Sequence, residues 1–114
     1  MEGPDWVKEF NGAVTVSDKQ GIIIYMNDKS QQGYGGSLVG QNSLDCHPEP
    51  ARTKYAQMLE NQTTNTYTIE KQGIRKLIHQ APWFQNGEYA GLIELSIEIP
   101  QEMPHFFRKP KAAE

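Results

Sequence analysis

The chain carries one cysteine, Cys46, so no internal disulfide framework is open to it. No apolar run approaches the roughly 20 residues that a membrane-spanning helix needs. Nor is there a basic stripe: 11 Lys and Arg face 14 Asp and Glu, for a net charge of −3. The electrostatic footprint of a nucleic-acid binder is therefore missing, and Arg108, Lys109 and Lys111 make only a short solvated cluster in the tail. The first residues, Met1-Glu2-Gly3-Pro4-Asp5, lack the basic and apolar regions of a secretory signal. The three histidines, His47, His79 and His105, have no zinc-ligand spacing. Gly33-x-Gly35 lacks the third glycine of a dinucleotide loop. Ser43, Cys46 and His47 are near in sequence, but nearness does not make a catalytic triad. These absences lead to the expectation of a cytoplasmic, non-enzymatic domain that uses no metal, nucleic acid or membrane.

What is present suits one small folded domain. The 114 residues can bury one modest core, and 22% charged residues argue against global disorder. Residues 1–12 read as an amphipathic N-terminal cap, in which Trp6 and Phe10 share one face of a short helix. Residues 13–100 read as the domain proper. Residues 101–114, punctuated by Pro104 and Pro110, read as a tail without heptads.

Within the domain, Ala13-Val14-Thr15-Val16 and Ile22-Ile23-Ile24-Tyr25-Met26 are β-branched runs around Ser17-Asp18-Lys19-Gln20-Gly21, the pattern of a hairpin. Asn27 and Asp28 follow as helix caps. Glycines at 33, 35, 36 and 40 suggest loops around a helical turn at Ser37-Leu38-Val39. Pro50 suits the first turn of a longer helix with Ala51, Tyr55, Met58 and Gln62 on one face. Two strands follow, 64–70 and 75–80, and Asn86-Gly87 turns into a last one. There Ile93, Leu95, Ile97 and Ile99 alternate with Glu94, Ser96 and Glu98, which predicts an apolar buried face and a wet face carrying solvated carboxylates. The order predicts an α+β domain: a five-stranded antiparallel sheet, with short helices and one longer helix packed on one face.

This arrangement resembles the PAS family over about Phe10 to Ile99. The stretch from Val14 to Asn27 is similar to the opening PAS hairpin with its Asn cap. Leu38-Val39-Gly40 is similar to the Leu-x-Gly step, His47-Pro48-Glu49-Pro50 to the segment opening the longer helix, and Gly87-Glu88-Tyr89-Ala90-Gly91 to the last hairpin. The resemblance implies a cupped sheet closed by helices over a small pocket. It also implies sensory function through a small ligand or cofactor, expected to be largely apolar, or with none bound, and/or through homodimerisation, with signalling to an effector domain or protein.

The expected ligand-binding residues are Tyr25, Cys46, His47, Tyr55, Met58, His79 and Leu95. The expected dimer surface is Trp6, Val7 and Phe10. Tyr67 and Trp83 line a pocket or fill a core. Haem-binding relatives place a His on the longer helix, and none stands between Ala51 and Asn61, so a haem or redox sensor would have to use Cys46 or His47. Flavin is disfavoured, because Gly40-Gln41-Asn42 is followed by Ser43 instead of the reactive Cys of light-sensing relatives. His79 shares a strand face with Leu77 and Ala81 and is the one candidate for pocket acid–base or pH chemistry. A filled-core protein-interaction module is the alternative reading.

Overall fold

Three tight turns and one buried amide organise the structure, a computed structural model that describes residues 2–111. Met1 and the last three residues of the expected tail lie outside the described residues. Strand β1 (Ala13–Ser17) turns into β2 (Ile23–Met26) through Asp18, whose carboxylate accepts from the backbone N–H of Gln20 and of Ile22, both at 2.9 Å. Strands β3 (Asn65–Lys71) and β4 (Ile74–Gln85) meet at Gln72-Gly73, and β4 meets β5 (Glu88–Ile99) at Asn86-Gly87. Both two-residue turns hold φ positive at each position, as a hairpin matching the strand twist requires.

The strands pair antiparallel in the order β2-β1-β5-β4-β3, so the first and last strands meet in the middle of the sheet. Helices α1 (Asp5–Lys8), α2 (Asp28–Tyr34) and α3 (Ala51–Asn61) complete the fold, with a 3-10 turn at Ser43–Cys46. The predicted α+β architecture is the one observed.

Two local expectations are corrected. The helical turn expected at Ser37-Leu38-Val39 is irregular chain, and the short helices lie on either side of it. Each starts at an asparagine: Asn27 accepts from the Ser30 N–H, and Asn42 from the Leu44 N–H. The strand expected to stop at Gln80 runs on to Gln85 through Pro82. Pairing with β3 ends at Asn65–Gln80, so beyond that point β4 has one paired side and the missing Pro82 N–H breaks no ladder.

Asn27 is fully buried and uses all its amide valences. Its oxygen accepts from the Val14 and Ser30 N–H groups at 2.9 and 3.0 Å, and its nitrogen donates to the Val7 and Gly12 carbonyls at 3.0 and 2.8 Å. One side chain thus ties the cap, β1 and α2 together. Truncating it would strand several buried groups, at a cost of about 1–3 kcal/mol each.

Val14, Val16, Ile23, Met26 and Ile78 are buried along the sheet, and the tightest apolar cluster sits at one end of the helix side. Tyr55, Met58 and Leu59 of α3 pack with Leu92, with Leu44 partly buried beside them. Gln62, expected on the same face as Tyr55, instead closes α3 in the left-handed region at φ 55°. Beside Leu92, Gly91 holds φ 148°, and a Cβ there would stand 2.0 Å from the Ser17 carbonyl oxygen. Only glycine lets β5 pass that close to the turn after β1.

Candidate functional site

Cross-strand register decides which side chains lie under the helices. Thr15, Glu94, Gln80 and Asn65 stand opposite one another in a row across four strands, followed by the row Ala13, Ser96, Ile78 and Tyr67. Members of these rows line a cleft of about 620 Å³, closed on the far side by Lys29, Ser30 and Tyr34 of α2 and by His47. The intervening row, Val14, Leu95, His79 and Thr66, points to the opposite face.

The sheet is therefore turned over relative to expectation. On β5 the apolar residues Ile93, Leu95 and Ile97 lie away from the helices, while Glu94, Ser96 and Glu98 face the cleft. The apolar row is covered in part by the N-terminal cap. A side chain at Gly12 would meet both Ile97 and the Phe10 ring at 2.7 Å, and one at Gly3 would meet both Val7 and Tyr25 at 2.8 Å.

The placements of the expected ligand residues follow from this. His47, Tyr55 and Met58 line a second cleft of about 410 Å³ between α3 and the sheet, with Tyr67 and Gln80 on its floor. Cys46 joins His47 and Tyr55 around a narrow gap beside Glu94. Tyr25, by contrast, faces the N-terminal cap. Leu95 and His79 lie on the outer face, where the His79 ring nitrogen bonds the Thr66 hydroxyl at 2.8 Å. Inward pH or acid–base chemistry by His79 is excluded by that placement. Trp83 donates its indole N–H to the Ser17 carbonyl at 2.9 Å and serves as packing.

The residues not foreseen are Glu94, Gln80, Tyr34 and Ser96, all on the cleft side. Gln80 is a relay: its Oε1 accepts from Asn65 Nδ2 at 3.1 Å, and its Nε2 donates to Glu94 Oε2 at 2.7 Å. Three phenols surround that carboxylate's end of the cleft. Tyr34 is pushed up to about 12, by desolvation first and then by the charge of Glu94, although half of its surface reaches solvent. Tyr55 is raised by burial, against the lowering effect of hydrogen bonding with the hydroxyls of Ser17 and Ser43. Tyr67 is raised by burial and then by Glu94. All three stay neutral at physiological pH.

His47 Nδ1 lies 2.6 Å from the Ser43 carbonyl, and its ring stacks on Tyr55 at 5.2 Å between centroids. With Nδ1–H donated to that carbonyl, Nε2 keeps its lone pair. That tautomer suits a metal ligand. A porphyrin, however, needs an apolar slot, and the floor facing His47 carries Glu94, Lys76 and Glu98. Cys46 is exposed, with its Sγ 3.7 Å from the Asn42 carbonyl of its own turn. The larger cleft does not fit haem; the second cleft, where His47 stands with Pro50, Ala51, Tyr55 and Met58, is the more apolar of the two. Among the described residues no group of three or more His, Cys, Asp or Glu could hold a metal ion, and no helix is long and apolar enough to cross a membrane.

Comparison with known proteins gives the fold a name. The PAS domain of BvgS from Bordetella pertussis superposes with a TM-score of 0.62 at 16% identity, over 83% of this chain and 82% of that one. A PAS domain from Colwellia psychrerythraea matches with a TM-score of 0.57 at 25% identity, over 85% and 93%. The chain has the PAS fold. A Vibrio cholerae receptor described as a dual PAS-heme oxygen sensor also has this PAS fold, with a TM-score of 0.52 at 22% identity over 78% and 95%. No protein-family profile and no curated protein matches the sequence.

Proposed function

We propose that the chain is a PAS-type sensory domain that takes up a small polar molecule between its helices and the inner face of its sheet, and signals through its outer face. One observation carries this reading: Glu94, Gln80, Ser96 and Lys76 lie on the helix-facing side of the sheet, bordering open clefts. A filled-core interaction module would place apolar side chains there, because polar groups under a dry helix layer cost free energy. The outer face supplies the complementary half. Ile93, Leu95 and Ile97 form an apolar stripe there, Phe10 of the cap lies by Ile97 across Gly12, and Trp6 of the cap is 76% exposed. That surface suits a second copy of the chain, with Trp6, Val7 and Phe10 in the contact. An attached or separate effector would then read the dimer geometry.

Native mass spectrometry with an absorption spectrum, on protein purified from expressing cells, tests this. A retained small-molecule mass on a dimer is the expected result, and a clean apo monomer would overturn it. The rival, a haem sensor, has one observation in its favour, the 2.6 Å contact of His47 Nδ1 with the Ser43 carbonyl, which directs Nε2 away from that carbonyl. It requires a Soret band on adding haemin that His47→Ala removes, whereas a polar-ligand cleft gives no such band.

A further inference from the structure

We infer that the cleft takes a small organic cation, its charged nitrogen seated on Glu94 among the rings of Tyr34, Tyr55 and Tyr67; this rests on the ligand-cleft reading above. Glu94 stands mid-sheet, half-buried, in the row between Thr15 and Gln80. One of its oxygens receives the Gln80 amide at 2.7 Å. The Gln80 oxygen is itself held by Asn65, so the amide is fixed with its N–H toward Glu94. Nothing comparable neutralises the charge. Among the described residues the ion pairs are Lys8–Asp28, Arg52–Asp45 and Arg75–Glu70, all elsewhere.

The inner gap beside Glu94 is bounded by Tyr34, Leu38, His47 and Tyr55, and no Lys or Arg lines it. The cations of the wider cleft stand off from Glu94: Lys76 two rows away opposite Glu98, Lys71 on the edge strand and Lys29 on α2, and none of them lines the gap itself. A carboxylate drawn from water without a counter-charge is costly, and a bound cation relieves that cost. An anion would meet repulsion at the same place. Neutral tyrosine rings present electron-rich faces to a cation, a second attraction that a neutral ligand does not gain.

Titration of 15N-labelled protein with choline, ethylammonium, acetate and 3,3-dimethylbutan-1-ol, the neutral isostere of choline, separates the outcomes. A cation should shift the amides of Tyr34, Tyr67 and Glu94, at least tenfold more tightly than the isostere. Glu94→Gln should weaken the cation tenfold or more, while Glu60→Gln, at an exposed position of α3 outside the clefts, leaves it within twofold. Retained circular dichroism shows that each variant folds. Equal affinity for choline and its isostere, preference for acetate, or an indifferent Glu94→Gln would overturn the cation and leave the cleft reading standing. Absence of shifts with all four probes would overturn both.

Discussion

The two faces of β5 invert the usual division of labour in a sheet covered on one side by helices. Toward the helices it presents Leu92 and then Glu94, Ser96 and Glu98; away from them it presents Ile93, Leu95 and Ile97. At the α3 end the inner face is a dry core, where Leu92 is 1% exposed against Tyr55, Met58 and Leu59, and Ile23, Met26 and Ile78 are buried further along the same side. Toward α2 the same face becomes a polar floor. The stability of the domain and its binding capacity thus sit a few residues apart on one strand. The outer face is left as an apolar surface, capped in part by the N-terminal segment.

The largest expected effect breaks both faces at once. Gly91→Ala forces a Cβ against the Ser17 carbonyl at a positive φ, and should cost more than about 3 kcal/mol in chemical denaturation. A cost below 1 kcal/mol would mean the strand passes the turn less closely than described. Next, Leu92→Ala should cost about 3 kcal/mol, as for a closely packed core leucine, with the denaturation midpoint as readout. A small loss would show that the α3 end is as open as the α2 end. Trp6→Glu addresses the outer face alone. It should halve the mass seen in sedimentation and leave the far-UV circular dichroism unchanged, and an unaltered mass would remove Trp6 from the contact.

The smallest effect concerns the phenols beside Glu94. Tyr34 holds its proton to about pH 12 in the folded chain, against 10.0 ordinarily. Its contribution is therefore fully present below pH 10 and is lost as pH rises toward 12, since the unfolded state ionises first. Absorbance titration of wild type against Tyr34→Phe should show one late-ionising phenol missing from the variant. Loss of a phenol that titrates near pH 10 would contradict it.

Much of the frame was legible in the residues, and the orientation of the sheet was not. Asn86-Gly87, the β-branched runs of β1 and β2, Asn27 as a cap and Pro50 before α3 are local signals, and each acts locally in the structure. Period two along β5 establishes that two faces exist, but gives no information on which one meets the helices. Assigning the apolar face of β5 to the helices puts Leu95 inside and Glu94 outside, while the neighbours of His79 on β4 leave its side open between the Leu77–Ala81 face and the Ile78 face. One signal pointed the other way. If Val14 and Val16 of β1 share a face with the isoleucines of β5, Thr15 must share the other with Glu94, beside a helix launched directly from β2. Gly91 carried no local mark, because its constraint is the carbonyl of Ser17, distant in sequence.

The direct test of the inverted sheet is the stability of Glu94→Leu, measured by chemical denaturation beside a native mass spectrum. A carboxylate kept on the helix-facing side for binding is a burden on folding. Its replacement by leucine, paired with Gln80→Leu so that no buried amide loses its acceptor, should therefore stabilise by about 1 kcal/mol. The same change should abolish small-molecule retention. Destabilisation by more than about 1 kcal/mol, with the retained mass unchanged, would make Glu94 a structural group and contradict the account.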